Sequence, residues 1–100
     1  MIWKDRVAVV TGGGGTLCSE IAIDLASKGM KVVLIGRTAS KLEATAEKIA
    51  KINGICRIES GDVNDEPAMQ AIADKVAADW GPCRILVNGA GGNKIGRAHV

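Results

Sequence analysis

The stretch Val7-Ala-Val-Val-Thr-Gly-Gly-Gly-Gly-Thr-Leu-Cys18 decides how the chain folds. Val7 to Val10 form an apolar, β-branched run, apolar on both faces as a buried parallel strand is. Four glycines, Gly12 to Gly15, follow, and then Ile21, Ala22, Leu25 and Ala26 recur at helical spacing. Strand, glycine turn and helix in that order is how a chain offers backbone N–H groups to a pyrophosphate. Glycine permits it because it lacks a Cβ, tolerates positive φ and lets a ligand come close. The reading is a dinucleotide site.

Working outward, the first strand covers Arg6 to Thr11 and the first helix runs from about Leu17 to Lys28. Gly29 closes that helix as a left-handed cap. Lys31-Val-Val-Leu-Ile35 is a second buried strand, ending at Gly36-Arg37. Ser40 and Glu43 have the spacing of a capping box for a second helix, with Leu42, Ala46, Ile49 and Ala50 on its buried face. Asn53-Gly54 ends it. Ile55 to Ser60 alternates Arg57 and Glu59 with Cys56 and Ile58, which suits a strand at a sheet edge. After the Gly61–Asn64 loop, Asn64 or Asp65 caps a third helix with Pro67 in its first turn. Met69, Ile72, Ala73, Val76 and Trp80 form its stripe, and Gly81-Pro82 terminates it. Arg84 to Asn88 is a fourth strand, and a second glycine cluster, Gly89 to Gly92, follows.

Right-handed crossovers make the sequential strands parallel. An α/β, doubly wound sheet ordered 3-2-1-4 follows, with the first two helices on one face and the third on the other. Ligands bind at the carboxyl ends of such strands where the order reverses, here between strands 1 and 4. Both glycine clusters converge there.

Composition narrows the partners. Of the 100 residues 47% are apolar, enough for a packed core, and with no Phe or Tyr and two Trp that core is aliphatic. The net charge of +2 is scattered rather than gathered in a basic stripe, which argues against nucleic acid. No apolar run approaches the ~20 residues of a membrane span, and the opening Met1-Ile-Trp-Lys-Asp-Arg6 shows no leader. Cys18, Cys56 and Cys83 are too widely spaced for a metal knuckle and odd in number for a disulfide framework. No metal is expected, and a cytoplasmic setting is.

Thr11-Gly12 with its following glycines, Asp62-Val63 and Asn88-Gly-Ala-Gly91 together resemble the short-chain dehydrogenase/reductase family over residues 5–93. The resemblance implies a partial Rossmann fold, truncated after the fourth strand, as the N-terminal part (residues 1–93) of an NAD(P)-binding domain. The family pattern Thr-Gly-x-x-x-Gly-x-Gly, set on Thr11, places its glycines at Gly12, Thr16 and Cys18, so only the first is kept. Asn-Asn-Ala-Gly likewise carries Gly89 in its second position. The glycine run with Leu-Cys-Ser, Gly-Pro-Cys and Asn-Gly-Ala-Gly-Gly-Asn93 most resembles the branch containing mannonate oxidoreductases (fructuronate reductases).

The site expected from residues and resemblance is as follows. Gly12, Gly13, Gly14 and Gly15, with the amides of Thr16 and Leu17, cradle the pyrophosphate. Gly36 stands where an acid would hold the ribose 2′-OH of NAD, and Arg37 follows, the residue type that accommodates the 2′-phosphate of NADP. NADP is therefore the expected cofactor, with NAD as the alternative. By resemblance, Asp62 hydrogen-bonds the adenine amino group beside Val63, Asn88 ties the fourth strand to its neighbour, and Ala90 and Gly91 line the adenosine and ribose. Cys18 admits two readings, a reactive thiol at a helix N-terminus or a small residue packed between helix and sheet. A P-loop hydrolase is excluded because no Gly-Lys-Ser/Thr follows the glycines.

The family's catalytic serine and Tyr-x-x-x-Lys pair lie beyond the fourth strand, and this chain has no tyrosine. The expectation is the cofactor-binding portion of an oxidoreductase that interconverts a carbonyl and a secondary alcohol. Its substrate is a small molecule, in keeping with a sugar acid, and the full-length protein is expected to be a homo-oligomer. A noncatalytic NAD(P)-binding sensor or scaffold is the alternative. Residues 94–100 break with the family-like sequence, and Ile95 to Val100 is what one reading frame of a common sequencing adapter encodes. This segment is expected to be a non-native tail.

Overall fold

A computed structural model describes residues 4–12, 16–62, 65–88 and 94–97. The elements in chain order are β1 (Val7–Thr11), α1 (Thr16–Ser27), β2 (Lys31–Gly36), α2 (Ala39–Lys51), β3 (Ile55–Ser60), α3 (Glu66–Trp80), β4 (Cys83–Asn88) and β5 (Lys94–Arg97). The sheet order is β3-β2-β1-β4-β5. The first four strands are mutually parallel in the expected 3-2-1-4 order, with Val10 opposite both Leu34 and Val87.

Alternation along the strands divides the core in two. Val10, Val32, Leu34 and Val87 face α1 and α2, where Cys18, Ala22, Ala26, Leu42 and Ile49 meet them. Val7, Val33 and Ile35 face α3 through Val76, with Val9, Met69, Ile72 and Trp80 around them. The first two helices thus cover one face and the third the other, because the crossover from β3 to β4 runs back over the sheet in the opposite direction. Small residues let the α1–α2 layer sit close. At Gly54 an added Cβ would lie 2.6 Å from Ile49 Cγ2 and 3.1 Å from Ala26 Cβ, so glycine is required there by contact alone.

Local chemistry sets the boundaries. Gly29 has φ +88° and its N–H donates to the Ala26 carbonyl, the left-handed stop expected after α1. Asp65 is the N-cap of α3, its carboxylate accepting from the Ala68 N–H at 3.1 Å, with Pro67 in the first turn. The capping box at Ser40 and Glu43 does not form. The second helix starts two residues earlier, capped by extended Thr38, whose side chain makes no capping bond while its carbonyl accepts from Lys41 and Leu42. Ser40 is therefore already inside the helix.

Two alanines placed on buried stripes, Ala50 and Ala73, are exposed instead. Thr45 is the buried polar residue in that region, and its hydroxyl is paired with Ser19 Oγ at 2.9 Å. Strand β4 begins at Cys83 rather than Arg84, with a register irregularity between Val7 and Ala8 that leaves Arg84 without a partner position on β1.

Beyond the expected four strands, Lys94–Arg97 lies antiparallel on β4, Ile95 opposite Val87 and Gly96 opposite Leu86. The sheet is thus not cut off at β4, and this part of the expected tail is paired to it. The physical reason is general: an edge strand offers a row of backbone N–H and C=O groups that any extended segment can satisfy.

Candidate functional site

The parallel strands end together. Thr11 stands opposite Ile35 on one side and Asn88 on the other, and Gly36 stands opposite Ser60. Chain leaving β1, β2, β3 and β4 therefore emerges at one edge of the sheet. Thr11 Oγ1 donates to the Val87 carbonyl at 3.3 Å, fixing the ends of β1 and β4 to each other beside Asn88. Gly12 takes φ +72°, a conformation that side chains rarely adopt, and its N–H donates to the Ile35 carbonyl at 2.8 Å. The chain thus turns sharply at the end of β1, and α1 begins at Thr16 with Leu17 half exposed at 49% in its first turn.

The β2 and β3 ends are joined in the same way. The Gly61 N–H donates to the Gly36 carbonyl at 3.0 Å. Arg37 Nη2 then donates to Asp62 Oδ1 at 3.1 Å, both side chains being largely solvent-accessible. Two residues chosen from the sequence for separate cofactor roles meet directly. Spacing could not show this, because the contact depends on the β2–β3 register bringing residues 25 positions apart to one edge. Of the expected site, Gly12, Thr16, Leu17, Arg37, Asp62 and Asn88 have backbones at this edge. Gly13, Gly14, Gly15, Val63, Ala90 and Gly91 lie outside the described residues.

The cysteines carry little nucleophilic character. Cys18 is buried at 6% in the α1–sheet core, and burial pushes its thiol up, which favours the packing reading over a reactive one. Cys56 and Cys83 are half-buried rather than fully buried. Burial raises Cys83 too, against the lowering effect of the Val9 and Ile85 backbones. Burial takes Cys56 from 9.0 to about 11.

A thiol with a raised folded-state pKa stays protonated where the unfolded chain ionises. Its contribution to stability is whole below about pH 9 and falls away as the pH climbs toward 11. Melting temperatures measured from pH 7 upward should drop beyond about pH 9, and the drop should be smaller in Cys56→Ala. Equal drops in the two proteins would show that Cys56 does not titrate this way.

Among the described residues there is no cluster of three His, Cys, Asp or Glu able to hold a metal ion, and no helix long and apolar enough to cross a membrane. What the edge offers is a positive-φ turn, the first turn of a 12-residue helix, an arginine and a carboxylate. That donor set suits a phosphorylated, hydrogen-bonding ligand such as a dinucleotide.

Comparison with known proteins agrees with this geometry. The family described as short chain dehydrogenase matches residues 6–99. The uncharacterized oxidoreductase UxuB of Bacillus subtilis (strain 168) is 39% identical over 88 residues, spanning 88% of this chain and 32% of that protein. A crystal structure from Haemophilus influenzae, described as a candidate D-mannonate oxidoreductase with bound NAD, superimposes with a TM-score of 0.82 at 28% identity, covering 91% of this chain and 32% of its own. A metagenomic short-chain oxidoreductase in complex with NADP gives 0.80 at 36% identity, covering 84% and 38%. This chain therefore spans about a third of the length of these relatives. The family match across nearly all of its residues, with a fold that superimposes on these structures at TM-scores of 0.80 and 0.82, settles its kinship: the chain belongs to the short-chain dehydrogenase family.

Proposed function

We propose that this chain is the N-terminal, cofactor-binding portion of a longer NADP-preferring oxidoreductase that interconverts a carbonyl and a secondary alcohol. The observation that carries the cofactor choice is the end of β2, where Gly36 leaves no acid for a ribose 2′-OH and Arg37 brings a guanidinium to the same edge. When bound, the nicotinamide cofactor supplies or accepts a hydride. Gly12 to Gly15 and the amides of Thr16 and Leu17 hold its pyrophosphate, aided by the partial positive charge of the α1 N-terminus, worth about 0.3–1 kcal/mol to an anion. Asp62 and Val63 meet the adenine, Asn88 keeps β4 against β1, and Ala90 and Gly91 line the adenosine and ribose.

The likeness to the candidate D-mannonate oxidoreductase supports a sugar acid as substrate, although that relative was crystallised with NAD. The whole protein is proposed to be a homo-oligomer acting in the cytoplasm on a small molecule. Residues 94–100 are proposed to be non-native. The β5 pairing does not oppose this, since it uses backbone groups that every sequence carries. The source DNA decides the point: a natural reading frame continuing through these codons would refute it.

Titrating the complete enzyme with NADPH and with NADH tests the cofactor reading. NADPH is expected to bind at least about tenfold more tightly, the lower end for one charge-assisted contact. Equal affinities would exclude the NADP preference. The departures at Thr16 and Cys18 from the family's glycine positions favour, as a second reading, a noncatalytic NAD(P)-binding sensor or scaffold. A serine and a Tyr-x-x-x-Lys pair in the downstream sequence would decide for the enzyme, and their absence for the sensor.

A further inference from the structure

We infer that the hydroxyl pair Ser19–Thr45 holds the amino end of α1 in register with α2, and so positions the backbone amides that meet the cofactor pyrophosphate. The inference rests on the reading of this edge as a dinucleotide site. Ser19 lies in the first turn of α1, two residues after Leu17. Its Oγ stands 2.9 Å from Thr45 Oγ1, which belongs to the middle of α2 and lies 26 positions away along the chain.

Thr45 is out of character for its surroundings. It shares the buried face of α2 with Leu42 and Ile49 and is 3% exposed. An apolar side chain of the same shape would serve packing there nearly as well, because a buried hydroxyl contributes little net stability even when paired. What the hydroxyl adds is direction. Apolar contacts are non-directional and tolerate sliding, whereas a hydrogen bond weakens steeply away from its preferred distance and angle. Fixing the register of neighbouring helices is the best-attested use of a buried polar group. Thr45 Oγ1 also lies 3.5 Å from the Lys41 carbonyl one turn back, which ties the pair to the α2 backbone.

The start of α1 is the end that needs such a fix. The residues α1 buries fully are small, Cys18, Ala22 and Ala26, and present a smooth face with little to interlock. The preceding Gly12 to Gly15 carry no side chains that could brace the helix from the other side. Donors aimed at a ligand must be held to within about 0.5 Å by their supporting residues. Ser19 and Thr45 are positioning residues in this sense, acting on the ligand through the amides of Thr16 and Leu17.

The test is made in the complete enzyme with Ser19→Ala, Thr45→Val, the double variant and Thr45→Ser. Dissociation constants are read for ADP, which carries a pyrophosphate, and for adenosine, which carries no phosphate. ADP is expected to bind about three- to tenfold more weakly in each single variant, the range of one lost hydrogen bond. The double variant should lose no more than either single one, since all three lack the same bond. Thr45→Ser keeps a hydroxyl and should bind ADP like the wild type. Adenosine should bind all the variants equally.

Thr45→Val keeps the side-chain shape, and half-buried Ser19 offers a second route should that variant fail to fold. Melting temperatures that fall while ADP affinity stays unchanged would show the pair to be packing only, and would overturn the inference. Adenosine weakened as much as ADP would overturn it too, by showing a general loosening of the site. A wild-type enzyme that binds neither ADP nor NADPH would remove the dinucleotide reading itself, and the inference with it.

Discussion

Replacing Arg37 with alanine in the complete enzyme is expected to weaken NADPH binding ten- to a hundredfold and to leave NADH binding almost unchanged. A hydrogen bond between charged groups contributes roughly 1.5–3 kcal/mol, which is that range in affinity. The side chain is 69% exposed in the free protein, so salt will screen it and the effect should shrink at high ionic strength. Arg37→Lys keeps the charge but loses the planar fork, and should fall between wild type and alanine. Paired titrations with the two cofactors at low and high salt read all of this. An unchanged NADPH-to-NADH ratio would remove Arg37 from the site. In the free protein its guanidinium is already engaged with Asp62 at 3.1 Å, so NADPH gains the arginine in competition with a carboxylate. The measured preference will be the difference between those two partners rather than the full worth of either.

The largest effect on folding is expected at Leu34. It is fully buried, midway along β2, with Val10 on one neighbouring strand and Ile58 on the other. Leu34→Ala should cost about 2–5 kcal/mol, the lost transfer energy plus the cavity left behind. Domains carry only about 5–15 kcal/mol in all, so this one change can consume much of the margin. Ile55→Ala, at a position 45% exposed on the outer strand, removes a similar side chain and should cost far less. Denaturant unfolding of the two variants side by side checks the contrast. Similar midpoint shifts would mean that the core is not where the structure places it.

The sheet and its two core layers were largely readable from residues alone, for a specific reason. Val7 to Val10 and Val32 to Ile35 are apolar on both faces, the pattern of a parallel strand covered on both sides. Right-handed crossovers with helices on both faces then pointed to the doubly wound order 3-2-1-4. The misses share another cause. Ala50 and Ala73 fit a helical stripe but belong to the surface, because alanine loses little in either place. Thr45 looked polar and proved buried, since its hydroxyl finds Ser19 on the neighbouring helix, a partner no local pattern reveals.

The candidate site divides along the same line. Residue types at the strand ends were legible, because glycines after a strand and an arginine after the next carry chemistry in themselves. The meeting of Arg37 with Asp62 was not. It depends on the β2–β3 register, which the sequence specifies only through the whole fold.

The outer strand β3 carries a consequence for how the molecule behaves in a crowded solution. Arg57 and Glu59 lie on its α3 side, opposite Val33 and Ile35. Arg57 is drawn against Glu59 at 3.0 Å and Asp79 at 2.9 Å, and its guanidinium rests 5.2 Å from the centre of the Trp80 ring. Lys75 adds a second cation on Glu59. Charges held inward on a margin strand are a known deterrent to edge-to-edge aggregation, because a foreign strand laid alongside would bury them against its own apolar face. The sheet is thus guarded against self-association on the β3 margin, and among the described residues strand addition is seen on the opposite margin, where β5 lies antiparallel on β4.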